Sequence, residues 1–265
     1  MPVLSGLGWT FDTVASQYEK MRPGYPAELY RMIFDYIPIG KNSVSAEVGP
    51  GGGQATLPVL ETGCRLTAVE PGEKFCARLK ENFGRYSGFS VVNAKFEEVT
   101  LEENAFDLIF SASAFHWVPE KEGYEKVFSL LKSGGAFARF ANHPYRDKGN
   151  PALSREIDRV YDEYYYPYHN KKRSPLTEYT EEEAAARAKI AEAYGFADIR
   201  HALFFRQRAF SAKEYTELLG TYSDHIAIGE TVRTRFFSAI EEAIDRHGGT
   251  ITIYDTIDLQ LARKP

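Results

Sequence analysis

Short apolar runs alternate along this chain with segments in which apolar residues recur every three or four positions. The apolar runs predict strands at residues 44–47, 65–69, 89–92, 105–111, 136–140, 199–205 and 250–261. The helical periodicity predicts helices at residues 10–22, 26–37, 73–83, 123–131, 153–164, 181–194, 212–219 and 231–247. Strands and helices that alternate in this way indicate an α/β fold with a parallel sheet covered by helices.

The length of 265 residues suits one sizeable α/β domain with insertions, so we predict a single domain over residues 1–265. Within it we expect a helical cap at residues 1–40 and a ligand-binding core at 41–142. An insertion at 143–183 is expected to cover the site. The remainder, 184–265, completes the sheet and carries a helical insertion at 211–248.

Three glycines at alternate positions follow the first strand, in the string Glu47-Val48-Gly49-Pro50-Gly51-Gly52-Gly53-Gln54. Glycine tolerates positive φ and lets a ligand approach the backbone. A turn of this kind that opens a helix also presents free N–H groups to an anionic or carboxylate-bearing ligand. The dinucleotide fingerprint requires glycine where this chain has Gln54, and the Gly-Lys-Ser/Thr ending of a phosphate loop is absent. The turn therefore disfavours NAD, ATP and GTP, and a plain loop is the alternative.

Polar residues end the following strands. Glu70 lies 21 residues after Gly49, where an acceptor-only carboxylate can bind both hydroxyls of a ribose. Asn93 follows the third strand. Ser111 ends the fourth strand, and His143 follows the fifth. Since parallel strands end at a common edge, we expect these side chains on one side of the sheet.

Taken together, these strings resemble the class I S-adenosylmethionine-dependent methyltransferases, of the small-molecule type that includes trans-aconitate methyltransferases. The string at 47–53 resembles motif I, Glu70 the motif II acid, and residues 111–119 motif IV. The FD-x-V-A-x-x-Y-x-x-x-RPGYP string at 11–26 resembles the N-terminal cap of that type. The resemblance covers residues 10–140 by motif and 181–262 by element order alone. It implies a Rossmann-like methyltransferase fold, with a seven-stranded, mostly parallel sheet whose last strand is antiparallel.

The same resemblance implies S-adenosylmethionine as cofactor and S-adenosylhomocysteine as product. It places Tyr18 and Arg22 near the methionine end, with Arg22 as a partner for the methionine carboxylate. Phe75 is expected to turn its ring toward the adenine. Asn93 replaces the acid that the family commonly has there to bind the adenine amine. Its carbonyl can still accept from that amine, while its NH₂ could serve a ring nitrogen. The predicted cofactor contacts are Tyr18, Arg22, Glu47, Gly49, Pro50, Gly51, Gly53, Gln54, Glu70, Pro71, Phe75, Asn93, Ala94, Ser111 and His116.

Transfer of a sulfonium methyl group to a nucleophile requires mainly that the two reactants are held close and dry. Positioning can supply about 7–11 kcal/mol of such a barrier in favourable cases. If the acceptor must lose a proton, His116 and His143 are the predicted general bases, because histidine titrates near neutral pH. The predicted acceptor contacts are Trp117, His143, Tyr165 and Tyr222.

The composition of the chain limits the classes of partner and function that are expected. A net charge of −5 and a pI near 5.8 argue against nucleic acid, and no apolar run approaches the roughly 18 residues of a membrane span. Cys64 and Cys76 lack the spacing of a zinc site, so we expect no metal and two reduced packing residues. Without an evident export signal, we expect a cytoplasmic monomer or homodimer that acts on a small molecule. A non-catalytic cofactor-binding protein and an NAD-dependent oxidoreductase are the alternative functions, and the absence of a G-x-S-x-G string disfavours a hydrolase.

Overall fold

The computed structural model describes residues 15–146 and 148–265. Its helices are α1 (Ala15–Met21), α2 (Ala27–Tyr36), α3 (Thr56–Leu60), α4 (Glu73–Phe83), α5 (Glu120–Leu130), α6 (Pro151–Val160), α7 (Tyr166–Tyr168), α8 (Glu181–Lys189), α9 (Ala212–Leu219), α10 (Ser223–Ile226) and α11 (Glu230–Arg246). Its strands are β1 (Val44–Val48), β2 (Arg65–Glu70), β3 (Phe89–Asn93), β4 (Phe106–Ala112), β5 (Leu131–Tyr145), β6 (Ala197–Ser211) and β7 (Thr250–Arg263). There are also 3₁₀ turns at Phe115–Trp117 and Ile190–Tyr194 and a π-helical turn at Tyr161–Tyr165.

The strands of the described chain form one sheet in the order β3-β2-β1-β4-β5-β7-β6. The pairs β1–β2, β1–β4, β2–β3 and β4–β5 are parallel, and the last strand is antiparallel to the other six. Val48 lies opposite Val69, and Glu70 lies opposite Asn93, so β1, β2 and β3 end at the same edge. This topology confirms the predicted Rossmann-like fold class.

The chain divides into two compact units, which are described separately. The sheet unit comprises residues 23–142, 179–204 and 257–265, and the helical unit comprises the described residues of 1–22, 143–178 and 205–256. The single-domain organisation and its internal boundaries at 40, 142 and 183 stay a prediction.

Strand β4 shows why the sheet unit has two apolar cores. Successive side chains of a strand point to opposite faces. Leu108 and Phe110 accordingly join one core, which includes α2, α3 and α4, while Ile109 joins the other, which includes α5. Two apolar faces of one buried strand are what an α/β sheet covered on both sides requires.

The helical unit has a third core, formed by α6, α9 and α11. Its helix ends carry clear sequence signals. Ser211 caps α9 in a reciprocal capping box with Glu214, and Asn150 caps α6 through the N–H of Leu153. Within residues 15–146 and 148–265, no helix is long and apolar enough to cross a membrane, and no cluster of His, Cys, Asp and Glu side chains could hold a metal ion.

Both cysteines lie in the sheet unit with buried side chains. The Sγ of Cys64 donates to the carbonyl of Val59 at 3.4 Å, and the Sγ of Cys76 donates to the carbonyl of Glu70 at 3.2 Å. The two thiols therefore lie near opposite ends of β2.

Several element boundaries differ from the prediction. β5 and β6 each have 15 residues and extend well beyond the predicted segments at 136–140 and 199–205. α8 ends at Lys189 and continues as a 3₁₀ turn, and α6 ends at Val160 before the π-helical turn. Residues 10–14 of the predicted first helix lie outside the described residues, and α1 covers the end of that segment.

Candidate cofactor site

The glycine turn after β1 is built on left-handed backbone conformations, with φ of +65° at Gly49, +55° at Gly51 and +82° at Gly53. A Cβ on Gly49 would lie 2.6 Å from the Cβ of Ala114, and a Cβ on Gly53 would lie 2.4 Å from Cε2 of Phe83. Glycine is therefore required by both conformation and close approach. The expected helix start is wrong in detail, because residues 51–55 form turns and α3 has only five residues, too few for an effective dipole.

Glu70 fixes this turn. Its Oε2 accepts from the backbone N–H of Gly51 at 2.9 Å, and its Oε1 accepts from the N–H of Gly72 at 2.8 Å. Each carboxylate oxygen has a second lone pair, so the predicted contact with two ribose hydroxyls is still possible chemically. The structural role of Glu70 as an anchor for the glycine turn was missed in the sequence.

Two buried polar atoms beside the glycine turn lack hydrogen-bond partners among the described residues. They are Oε1 of Glu47 and Nε2 of Gln54. The other carboxylate oxygen of Glu47 accepts from the hydroxyl of Thr56 at 2.7 Å. Burial raises the pKa of Glu47 to about 8; the Thr56 hydrogen bond opposes this rise, and the charge of Glu70 adds to it. Such unpaired buried atoms are rare in folded proteins, so an acceptor and a donor are left for a ligand.

Asn93 corrects one part of the prediction. Both hydrogens of its NH₂ group are used, since Nδ2 donates to the carbonyls of Glu70 and Pro71 at 2.9 Å each. The NH₂ group is thus not available to a ring nitrogen, and the side-chain carbonyl is the group left to accept. Next to it, the N–H of Ala94 donates to the carbonyl of Glu70 at 3.2 Å. Phe75 is only 3% exposed, which leaves little ring surface for an adenine.

The segment after β4 approaches the glycine turn through Ala114. Ser111 is fully buried, and its hydroxyl donates to the carbonyl of Val48 at 2.9 Å, which joins β4 to β1. Ser113 has a positive φ of +54°, and its Oγ lies 2.9 Å from the hydroxyl of Tyr25. The backbone N–H of Asn142 also donates to that Oγ at 3.3 Å.

Tyr25 and Ser113 lie within the strings that carry the resemblance, but neither was among the predicted site residues. His116, which is exposed, packs its ring 5.2 Å from that of Trp117 in the 3₁₀ turn. The structure therefore brings the turn, Glu70, Asn93 and the segment after β4 to one edge of the sheet unit.

The remaining predicted residues lie in the helical unit. The guanidinium of Arg22 lies 5.0 Å from the ring centroid of Tyr18 and 4.2 Å from that of Tyr222, and it donates to Thr221 through Nε at 3.0 Å and Nη2 at 3.1 Å. Tyr18, Arg22 and Tyr222 are thus brought together, although they were predicted for different ligands. Tyr165 is 6% exposed and donates to Oδ2 of Asp224 at 2.6 Å, and His143 lies near the end of β5.

Known proteins match this chain in the region of the candidate site. Residues 46–138, which include the glycine turn, Glu70, Asn93 and the segment after β4, match the family model of a methyltransferase domain. These residues are a methyltransferase domain of the class I S-adenosylmethionine-dependent type. An uncharacterized methyltransferase of Schizosaccharomyces pombe is 23% identical over 239 residues, which is 90% of this chain and 88% of the relative.

Solved structures support the fold of this methyltransferase. A protein from Anaeromyxobacter dehalogenans, provisionally assigned as a type II methyltransferase, matches with a TM-score of 0.61 and 21% identity over 91% of this chain and 97% of that chain. A phosphoethanolamine N-methyltransferase of Haemonchus contortus, in complex with phosphomonomethylethanolamine and S-adenosylhomocysteine, matches with a TM-score of 0.57 and 16% identity over 99% of this chain and 61% of that chain. The matched methyltransferase domain and the ligand-bound neighbours support S-adenosylmethionine as the cofactor.

The residues at the edge of the sheet unit fit this cofactor. Its methionine end carries an ammonium and a carboxylate, which match the unpaired acceptor of Glu47 and the unpaired donor of Gln54. Its ribose hydroxyls match Glu70, and its adenine amine matches the carbonyl of Asn93. A separate groove of about 470 Å³ in the sheet unit, lined by α2, β6 and β7, contains none of the predicted site residues.

Proposed function

We propose that this methyltransferase transfers the methyl group of S-adenosylmethionine to a small-molecule acceptor by in-line displacement. The observation that carries the proposal is the glycine turn pinned by Glu70, with an unpaired buried acceptor on Glu47 beside it. The bound cofactor supplies a methyl group activated by a positively charged sulfur. The protein then has to hold the two reactants close together in a dry site, without forming a covalent intermediate.

In this proposal the residues of the sheet unit bind and orient the cofactor. Glu70 receives the ribose hydroxyls, Asn93 receives the adenine amine, and Glu47 with Gln54 bind the amino-acid end. The positive φ angles at Gly49 and Gly53 keep the backbone open to the ligand. The cofactor contacts predicted for Tyr18, Arg22, Pro50, Pro71, Phe75, Ser111 and His116 stay predictions.

Two observations support a small acceptor over a macromolecule. The chain carries a net charge of −5, which does not favour nucleic acid. In addition, the Haemonchus contortus structure with the same fold holds the small molecule phosphomonomethylethanolamine.

A thermal-shift comparison of S-adenosylhomocysteine with NADH tests cofactor binding. We expect stabilisation by the former alone, and a loss of that stabilisation in Glu70→Ala. Glu61→Ala, which changes an exposed glutamate at the end of α3, is the matched control and should keep the full shift.

Transfer of radiolabelled methyl groups to a panel of metabolites tests the reaction. Incorporation into a small molecule is the expected outcome. A thermal shift by S-adenosylhomocysteine without incorporation into any small molecule would instead favour a non-catalytic cofactor-binding protein.

A further inference from the structure

One face of the sheet unit carries polar side chains where packing alone would favour apolar ones. Phe137 of β5 and Ala262 of β7 belong to the apolar core that includes α5. Since alternate residues of a strand share a face, Arg139 on β5, and Asp258 and Gln260 on β7, continue the face of that core. Asp258 is fully buried, and Gln260 is 5% exposed. We call Arg139, Asp258 and Gln260 the polar row; none of them was among the predicted site residues.

Asp258 is held by contacts within the sheet unit. Its Oδ1 accepts from the backbone N–H of Ala141 at 2.9 Å, and its Oδ2 accepts from the hydroxyl of Tyr179 at 3.2 Å and from the NH₂ group of Gln260. Nη1 of Arg187 lies 4.0 Å from the same Oδ2. The single negative charge of Asp258 is therefore balanced by the guanidinium of Arg187.

The guanidinium of Arg139 is the second positive charge beside this carboxylate. Its Nη1 donates to the hydroxyl of Tyr124 at 2.9 Å, and its central carbon lies 5.4 Å from the ring centroid of Phe115. Its Nε is buried without a hydrogen-bond partner among the described residues. Burial lowers the pKa of Arg139; the charge of Arg187 adds to this shift, whereas Tyr124 and Asp258 oppose it. Because arginine keeps its proton in proteins, a partly desolvated guanidinium of this kind favours an anion beside it.

Gln260 adds an unpaired acceptor next to Arg139. Its Oε1 is buried and has no hydrogen-bond partner in the described part of the chain. Arg139 precedes Ala141 by two residues, and Gln260 follows Asp258 by two residues, on neighbouring antiparallel strands whose Ala141 and Asp258 are hydrogen-bonded. The side chains of Arg139 and Gln260 therefore lie side by side on the same face. An unpaired donor and an unpaired acceptor at one buried place are rare in folded proteins, and together they specify a ligand.

We propose that Arg139 and Gln260 form a binding site for a small monoanion that carries an O–H or N–H group next to a carboxylate. Nε and Nη2 of Arg139 donate to the two carboxylate oxygens, and the ligand's O–H or N–H donates to Oε1 of Gln260. Two guanidinium groups and one carboxylate leave one positive charge, which a monoanion neutralises. Arg139 keeps an intermediate exposure, so the guanidinium can be reached from solvent.

The anion has two chemical sources, which the experiment distinguishes: the methyl acceptor itself, or a separate metabolite. Arg139 lies opposite Ser111 of β4, and the hydroxyl of Ser111 donates to the carbonyl of Val48, which precedes the glycine turn. Neighbouring strands lie about 4.8 Å apart, so the backbone of Arg139 is about 10 Å from the end of β1 within the same unit. Binding of the anion does not depend on the proposed function, because it can be measured without methyl transfer.

Calorimetric titration with three matched probes tests the site. Lactate carries both groups, propionate lacks the hydroxyl, and propane-1,2-diol lacks the carboxylate. We expect lactate to bind at millimolar concentrations, about 10-fold or more tightly than either of the others. Arg139→Met should weaken lactate binding by about 10-fold or more, and Gln260→Met should lower it to the level of propionate. Arg65→Met, which changes an exposed arginine at the start of β2, is the matched control and should keep the wild-type affinity.

Thermal unfolding of each variant verifies that it is folded, and Gln260→Met provides the test if Arg139→Met is not. Equal binding of the three probes, or no binding of lactate at millimolar concentrations, would overturn the site. Wild-type affinity for lactate in a folded Arg139→Met or Gln260→Met variant would do the same.

The source of the anion is read from methyl transfer. Radiolabelled S-adenosylmethionine is incubated with the protein and the small-molecule fraction of a cell extract, and the labelled product is separated by anion exchange. A retained product whose formation lactate inhibits competitively assigns the site to the acceptor. An unretained product, formed at the same rate with lactate bound, assigns it to a separate metabolite. No incorporation at all would count against the proposed function and leave the measured binding of lactate standing.

Discussion

The close approach of Gly49 to Ala114 gives a quantitative test of the glycine turn. Gly49 has a φ of +65°, and a Cβ built there would lie 2.6 Å from the Cβ of Ala114. A left-handed conformation costs an L-residue about 1–2 kcal/mol. Overpacking a rigid contact costs a further ~1–3 kcal/mol. We therefore expect Gly49→Ala to lower the free energy of unfolding by about 2–5 kcal/mol.

Two companion variants separate these contributions. Gly134 has a φ of +80°, and a Cβ there would meet no atom within 4 Å, so Gly134→Ala should lose only the conformational part, about 1–2 kcal/mol. In Gly49→Ala with Ala114→Gly, the methyl group that causes the clash is gone, so most of the packing loss should return. The coupling between the two positions is then read from a double-mutant cycle.

Urea unfolding followed by fluorescence supplies the four free energies of the cycle. Equal effects of Gly49→Ala and Gly134→Ala, with no recovery in the double variant, would show that the turn does not press against Ala114. Gly49→Ala should also weaken binding of S-adenosylhomocysteine, because a turn that moves away from Ala114 changes the backbone beside Glu70.

Three further outcomes follow from the sheet unit. The pKa of Glu47 rises from 4.5 in the unfolded chain to about 8 in the folded protein, so its contribution to stability is fully present below about pH 4.5 and is lost as the pH rises through about 8. Glu47→Gln should remove this part of the pH dependence, which is on the order of 3–5 kcal/mol. Urea titrations from about pH 5 to 9 measure it. A pH dependence identical to that of the wild type would contradict it. Glu70→Ala should weaken S-adenosylhomocysteine binding by about 10- to 100-fold in calorimetry, since hydrogen bonds to a charged group are worth about 1.5–3 kcal/mol each, and unchanged affinity would remove Glu70 from the site. Tyr25→Phe removes the 2.9 Å hydrogen bond with Ser113 and should lower the free energy of unfolding by about 0.5–1.5 kcal/mol, measured by thermal unfolding. An unchanged free energy of unfolding would show that this hydrogen bond adds no net stability.

The central part of the fold could be predicted from local pattern alone. β1 to β4 and α4 are short segments whose apolar residues, glycines and end residues all indicate the same structure, and α4 has the predicted bounds at Glu73 and Phe83. The family motifs fall in the same region. The common edge at which these strands end followed from the parallel topology.

The longer strands could not be predicted in full, because their ends depend on distant partners. Residues 132–135 have the composition of a turn, yet the N–H of Gly134 donates to the carbonyl of Lys264 at 2.8 Å and the N–H of Lys264 donates to Gly135 at 2.9 Å. In the helical unit, Arg206 and Arg208 extend β6 beyond its apolar segment, and both bind the buried carboxylate of Asp255. Pairings this far apart in sequence leave no periodic signal.

The candidate site, like the fold, could be predicted only in part. Residue types at the strand ends led to Glu70 and Asn93 as candidates, but they do not tell which atoms of these side chains are already bonded to the backbone. The NH₂ group of Asn93 donates to two backbone carbonyls, and the hydroxyl of Ser111 donates to the carbonyl of Val48. The hydrogen bond between the hydroxyl of Tyr161 and Nε2 of His225 could not be predicted, because the two residues are 64 positions apart and only tertiary packing brings them together.

The two thiols provide an internal reporter of local opening. Cys64 and Cys76 are the chain's only cysteines, each is at most 4% exposed, and they lie near opposite ends of β2. Since a buried thiol is alkylated only when its surroundings open, pulsed labelling would follow the two ends of one strand separately. A ligand held by Glu70 should slow alkylation of Cys76 more than that of Cys64. Mass spectrometry of the two labelled thiols would then show which end of β2 becomes more rigid when the ligand binds, without any engineered probe.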